Sequence, residues 1–263
     1  DVAPSRGLGD VYKRQVGVPC KIRGKLRSEA LMDKGFPQKK VLSLVLCVAV
    51  MLSVMVMGAG AVFSDQDKIE NTEAVDACSA LNIIGGYPDG SYKPEGNIKR
   101  SEICKMICVA LNGGEEPTLG TPATPTFSDV RNTPNAAWAE KYIESCVSQG
   151  IVSGVGGGRF SPAGNVTASQ LAKMLLVAVG YDPANESFEG ADWAINVSVR
   201  ADEQGIFEGF TKDLSAPLNR DDAALLIYNA LDVEMIQSYT TNNYPIVYSD
   251  HRTILSDKYG VIK

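Results

Sequence analysis

The sequence predicts an all-α protein built from three helix-loop-helix repeats, and two observations support this prediction. A Gly-centred turn recurs three times, at Gly86, Gly154 and Gly209, and each turn leads through a Pro-containing loop into a second helix. The second helices also share one apolar pattern. Repeats of this size cannot bury their apolar faces alone, so they must stack. We therefore expect the repeats to pack as a bundle around a pseudo-threefold axis.

The second helices agree column by column at their apolar positions. The columns are Met106/Met174/Leu226, Ile107/Leu175/Ile227, Ala110/Ala178/Ala230 and Leu111/Val179/Leu231. Their offsets of i, i+1, i+4 and i+5 define one face of an amphipathic helix. The connecting loops differ in length, because 12 positions separate Gly86 from Ile98 but only 9 separate Gly209 from Leu218.

The repeats occupy the middle of the chain. We predict repeat 1 at 63–112, a linker at 113–126, repeat 2 at 127–182, repeat 3 at 186–235 and the start of a truncated C-terminal region at 236–263. Residues 1–31 are interpreted as a non-native leader, because residues 5–15 resemble a translated sequencing adapter. Residues 32–61 read as a signal peptide that ends in Ala59-Gly60-Ala61; an uncleaved membrane anchor is the alternative.

The composition predicts an acidic secreted protein. Without residues 1–61, 15 Lys and Arg and 27 Asp and Glu remain, so the net charge becomes about −12. An acidic surface disfavours nucleic acid and anionic membranes, and we expect neither as a partner once the signal peptide is removed. An anionic ligand would need local cationic pockets.

The repeats hold no catalytic constellation, since they contain no histidine, and no metal or cofactor motif is present. We therefore predict a protein that is not an enzyme. Four cysteines fall in predicted helices: Cys78, Cys104, Cys108 and Cys146. They are interpreted as small packing residues, with a metal site or an occasional disulfide as alternatives.

Several motifs resemble the S-layer homology family. These are Phe63-Ser64-Asp65, Phe127-Ser128-Asp129-Val130, Trp138-Ala139, Trp193-Ala194 and Ile98-Lys99-Arg100-Ser101-Glu102. The resemblance covers roughly residues 63 to 235. It implies three tandem modules forming one helical unit that attaches a bacterial surface protein non-covalently to a pyruvylated secondary cell-wall polysaccharide.

Arg100 and Arg220 are the first candidate ligand contacts. Each is predicted at the first position of a second helix, where the helix dipole disfavours a cation. A helix N-terminus with a guanidinium can bind a carboxylate or phosphate. The resemblance implies the same role, and it adds Asp65 and Asp129 to the site. The alternative is a salt bridge from an arginine to one of these carboxylates or to a neighbouring repeat. Repeat 2 has Ala168 and Gln170 in the Arg and Glu columns, which puts its pocket in doubt.

Trp138 and Trp193 complete the predicted site, because an indole face can stack on the C–H side of a sugar. Ordinary packing between repeats is an equal alternative. We predict a cell-wall anchoring module of a secreted protein, on a bacterium of the Gram-positive type, with other S-layer subunits as further partners. Two alternatives remain open: the attachment module of a truncated extracellular hydrolase, and an S-layer packing module that binds no glycan.

Overall fold

The computed structural model describes residues 63–242 and 244–261. This part of the chain forms helices α1 to α7, at Thr72–Ala80, Arg100–Leu111, Glu140–Ser148, Ala168–Ala178, Trp193–Glu203, Arg220–Ala230 and Ile254–Tyr259, two 3-10 turns, at Gln66–Lys68 and Ala137–Ala139, and strands β1 and β2, at Glu234–Asn242 and Tyr244–Thr253. The predicted all-α class is confirmed for the repeats. The predicted leader and signal peptide lie outside the described residues.

The second helices begin where the sequence predicts, because side chains cap their first turns. The Gln170 amide N–H donates to Thr167 Oγ1 at the start of α4, and the Asp222 N–H donates to Asn219 Oδ1 at the start of α6. Lys99 is a poorer N-cap, but Glu102 compensates by accepting the Lys99 N–H at 2.8 Å. These bonds satisfy amides that would otherwise have no partner at the helix ends.

The helices pair between repeats rather than within them. Helix α3 of repeat 2 packs on α2 of repeat 1, α5 of repeat 3 packs on α4 of repeat 2, and α1 of repeat 1 packs on α6 of repeat 3. Helix α4 also contacts both α2 and α6. Each first helix therefore finds its partner in a different repeat, and repeat 3 is linked directly to repeat 1.

The segments that lead into the second helices also meet. The Ile98 N–H donates to Leu218 O at 3.0 Å, and the Leu218 N–H donates to Val166 O at 2.8 Å. All three side chains are buried. Extended backbone thus joins the three loops at the point where α2, α4 and α6 start.

The predicted apolar face of the second helices forms the core. Met106, Met174 and Leu226 are all buried, and so are Ile107, Leu175 and Ile227. They belong to one cluster that includes residues from all three repeats. Burial of matched faces supplies the main favourable term for this packing.

The C-terminal region forms an antiparallel β-hairpin followed by α7. The stretch Tyr244–Tyr248 is rich in aromatic and β-branched residues, which favour strands. The hairpin lies on the bundle, because the Ile236 N–H donates to Val179 O at 2.7 Å. Helix α7 also packs on the bundle, because the Leu255 N–H donates to Leu231 O and the side chain of Ile254 is buried. Across the described residues, every helix is too short or too polar to cross a membrane.

Candidate binding grooves at the repeat seams

Arg100 reaches from repeat 1 into repeat 2. Its Nε donates to Phe160 O at 3.0 Å, and its Nη2 donates to Ser153 O at 2.9 Å. The guanidinium carbon lies 4.4 Å from the centre of the Phe160 ring. The residue is only 8% exposed, and this burial lowers its pKa. An arginine that opposes the helix dipole is therefore held by carbonyl dipoles of the next repeat.

Arg220 makes the equivalent reach from repeat 3 into repeat 1. Its Nε donates to Tyr92 O at 2.9 Å, and its Nη2 donates to Gly85 O at 3.0 Å. The guanidinium carbon lies 4.9 Å from the ring centres of both Tyr87 and Tyr92. Both arginines thus bind backbone carbonyls in the loop of a different repeat.

Asp65 and Asp129 hold the same loops from the other side. The carboxylate of Asp65 accepts the Tyr92 and Lys93 N–H groups at 2.7 and 2.8 Å. The Tyr92 N–H is the main cause that lowers the Asp65 pKa. Because Arg220 binds the carbonyl of Tyr92 and Asp65 binds its N–H, one loop residue links the two charges.

Asp129 repeats this arrangement in repeat 2. It accepts the Phe160 and Ser161 N–H groups at 2.9 and 2.8 Å, while Arg100 takes the Phe160 carbonyl. Arg100 and Asp129 are therefore joined through a peptide unit and not by a direct salt bridge.

The loop of repeat 3 has neither the aspartate nor the arginine that hold the loops of repeats 1 and 2. Phe188 is buried like Phe63 and Phe127, but Gly190 stands where those repeats have Asp65 and Asp129. Its loop is also the short one. The residue of repeat 2 that would face it is Ala168, which is fully buried, and the neighbouring Ser169 N–H bonds Leu214 O instead. The missing arginine therefore affects the seam between repeats 2 and 3.

The loop of repeat 2, in contrast, receives Arg100. The missing arginine at Ala168, on which the sequence analysis based its doubt about repeat 2, therefore leaves the loop of repeat 2 with an arginine from repeat 1. The sequence analysis allowed a salt bridge to a neighbouring repeat, but it did not predict bonds to the backbone carbonyls of that repeat.

A groove of about 450 Å³ lies beside Arg100. Its walls include the loop 150–155, Gln170 and Lys173 of α4, and Trp193 at the start of α5. We call this the Arg100 groove. Predicted site residues Arg100 and Trp193 thus meet in one cavity, although they belong to repeats 1 and 3.

Lys173 is a groove residue that the sequence analysis missed. Its Nζ donates to Phe188 O at 2.6 Å and lies 5.7 Å from the centre of the Trp193 ring. Partial burial lowers its pKa. The available signal was the column that Lys173 shares with Lys105, five residues after the Arg position in repeats 1 and 2. The exposed carboxylate of Glu189 also lines the groove.

The seam at Arg220 carries a different charge pattern. Arg220 Nη1 lies 3.9 Å from Glu102 Oε1. Glu102 occupies the helix position that Gln170 occupies beside Arg100. The guanidinium of Arg220 is therefore partly neutralised by a side chain, whereas the side chain at this position in the Arg100 groove is uncharged.

Trp138 lies in the 3-10 turn Ala137–Ala139 that leads into α3, in the sequence position that corresponds to Trp193. It is 46% exposed, its Nε1 donates to Asn135 O at 2.8 Å, and its ring meets Tyr142 edge-on. The indole is thus fixed on one side and open to solvent on the other.

The four cysteines of the repeats are buried and free, as the packing interpretation predicts. Among the described residues, no group of three or more His, Cys, Asp and Glu side chains is placed to hold a metal ion.

Two segments of the chain, 62–104 and 126–172, match the S-layer homology domain family. They cover the loops and the beginnings of the second helices in repeats 1 and 2. The family match does not extend to repeat 3, the repeat in which the Asp and the long loop are missing.

Three relatives illustrate the similarity. The chain is 26% identical over 76% of its length to a cell surface protein of Thermoanaerobacter kivui. It is 29% identical over 57% of its length to a cellulosome-anchoring protein, and 28% identical over 61% to exoglucanase XynX, both of Acetivibrio thermocellus. The matches span 25%, 35% and 15% of these relatives, so the chain is similar to only a part of each.

Proposed function

We propose that residues 63–235 are three S-layer homology units, arranged about a pseudo-threefold axis, that attach a bacterial cell-surface protein to the cell wall. The family match supports the first two units. The third is supported by its packing, because α5 contacts α4 as α3 contacts α2. The names of the relatives, which include a cell surface protein and a cellulosome-anchoring protein, favour anchoring at the surface.

The proposed ligand is an acidic secondary cell-wall polysaccharide, such as a pyruvylated one. The observation that carries this proposal is the Arg100 groove, which combines Arg100, Lys173 and the indole of Trp193. Cations can bind a carboxylate of the sugar, and an indole can stack on its C–H face. In a chain with a net charge of −6, such a local site is what an anionic glycan requires.

Sedimentation with purified cell wall tests the proposal. Lys173→Ala removes one bond to a carbonyl of repeat 3, and a thermal melt of this variant checks its stability. Trp193→Ala changes the other groove side chain. Each lost contact to a charged group should cost about 1.5–3 kcal/mol, a roughly tenfold to hundredfold weaker binding. Arg252→Ala, which removes a half-exposed cation of the C-terminal region, is the matched control and should bind normally.

Arg100→Ala needs a thermal melt beside the binding assay, because Arg100 bonds two carbonyls of repeat 2. Unchanged wall binding by Lys173→Ala and Trp193→Ala would reject the Arg100 groove as the ligand site. Equal binding to walls with and without the acidic polymer would reject the ligand class.

Two other roles for this chain are each supported by the names of relatives. An attachment module of a hydrolase is favoured by relatives named as enzymes, an exoglucanase and an amylopullulanase, each matched over a small part of its length. Sequencing the gene past Lys263 distinguishes this role. An S-layer packing role is favoured by a relative named surface layer protein. It predicts self-assembly without any polymer-dependent sedimentation.

A further inference from the structure

Two thiols meet across the seam between repeats 1 and 2. Cys108 lies on α2 and Cys146 on α3, and their Sγ atoms are 3.6 Å apart. The two residues are 38 positions apart in the sequence. Both are buried, at 5% and 0% exposure. Because α2 and α3 belong to different repeats, a bond here would join the repeats covalently.

Each thiol also makes one weak contact with a backbone carbonyl. The Cys108 thiol donates weakly to Tyr142 O and the Cys146 thiol to Cys104 O, both at 3.7 Å. In a disulfide the two sulfurs lie about 2.05 Å apart, so the two thiols must move closer together when the bond forms. Cys78 lies elsewhere, with its Sγ 3.8 Å from Ala224 O on α6.

We propose that Cys108 and Cys146 form a disulfide when the chain folds in the presence of a small-molecule disulfide. One cysteine thiolate attacks a sulfur of R–S–S–R, which releases RS⁻ and forms a mixed disulfide. The second thiolate attacks the protein sulfur of that mixed disulfide and releases the second RS⁻. The two protein thiols lose two electrons, R–S–S–R gains them, and the protons of the thiols pass to the two RS⁻ groups.

The folded seam should protect the bond once it has formed. In the reduced protein, the contact between the two thiols raises the pKa of the Cys108 thiol, and burial raises it further. Since the thiolate is the nucleophile, the folded dithiol should react slowly. The disulfide should therefore form during folding, when α2 and α3 bring the thiols together but have not yet excluded solvent, and reductants should reach it slowly afterwards.

The test is refolding of the full chain, with Cys20→Ser and Cys47→Ser to remove the two thiols outside the repeats, in a mixture of oxidised and reduced glutathione. We expect a product about 2 Da lighter than the reduced chain, with two free thiols and a peptide link between Cys108 and Cys146. The oxidised protein should melt roughly 10 °C higher than the reduced protein.

Matched variants separate the pairing from general oxidation. Cys78→Ala, which removes a buried thiol of another seam, should keep both the link and the shift in melting temperature. Cys108→Ala should abolish the Cys108–Cys146 link. Four free thiols after oxidative refolding would overturn the proposal, and so would a link between Cys104 and Cys146. Peptide mapping of the unaltered repeats gives the answer even if a variant fails to fold.

Discussion

At the scale of single residues, the informative feature is that Tyr92 and Phe160 are each held at both backbone groups. A carboxylate accepts the N–H, and an arginine of another repeat donates to the C=O. The sequence could identify the arginines, because a cation at a helix N-terminus is unfavourable without another use. It could not identify their acceptors, which lie 53 to 135 positions away in the chain.

The first residue-scale prediction concerns the position that distinguishes the two arginine seams. Gln170→Glu places a carboxylate in the Arg100 groove, as Glu102 does beside Arg220, and should weaken binding of an acidic polymer about tenfold. Glu102→Gln should strengthen binding at the other seam. Both substitutions keep an oxygen that can accept the N-cap N–H, so helix stability should change little.

Isothermal titration with a purified acidic wall fragment measures both effects. The two substitutions should act in opposite directions. A shift in the same direction for both, or no shift in either, would contradict the charge-based account of the two arginine seams.

At the scale of elements, the turn glycines differ in why they are needed. A Cβ at Gly154 would lie 2.7 Å from Phe127 Cε1 and 2.8 Å from Arg159 O, and Gly86 is equally close to Phe63. The turn therefore packs directly on the phenylalanine that opens its own repeat. Gly209 has a different reason, because its φ is +79° and its Cβ would meet nothing closer than 3.8 Å.

Gly154→Ala should consequently destabilise the protein by about 1–3 kcal/mol, the usual cost of overpacking. It should also shift the loop that walls the Arg100 groove. Gly85→Ala is the matched control, because no atom beyond its chain neighbours lies within 4 Å of the added Cβ. The equivalent residue of repeat 2 is Ser153, whose carbonyl binds Arg100 as the Gly85 carbonyl binds Arg220, so a side chain is compatible with this position. Urea unfolding measures the free energy of unfolding of both variants. Equal values would contradict the prediction, because they would show that the turn can relax around a methyl group.

The second helices were the most predictable elements. Their apolar columns, their N-caps and their first residues all follow from local periodicity and capping, and the structure confirms them. The β-hairpin was not predicted, although its Tyr, Ile and Val content gave a strand signal. The pairing of first helices with second helices of other repeats could not be read from the chain, because identical apolar faces do not specify a partner.

At the scale of the whole molecule, the closure between α1 and α6 makes the repeats interdependent. A variant that ends at residue 185 lacks α5 and α6, so α1 and α4 lose their main partners. We expect this variant to show no cooperative thermal transition, whereas the full chain should unfold in one step. Circular dichroism melts measure the difference. A sharp transition in the shortened chain would show that repeats 1 and 2 are stable without the closing contact.

The packing of each first helix on the second helix of another repeat also determines which parts of the chain can be moved into another protein as a unit. The sequence repeat and the packed helix pair are out of phase by one helix: the pairs are α2 with α3, α4 with α5, and α6 with α1. Transplanting one whole repeat would therefore separate two helix pairs. The arginine of a transplanted repeat 1 or repeat 3 would also face a loop other than the one it binds in this chain. Cutting instead inside the loops, between a first helix and the second helix that follows it, would move an intact pair. The unit that can be exchanged in this chain is therefore the packed helix pair, which begins and ends in the loops in the middle of each sequence repeat.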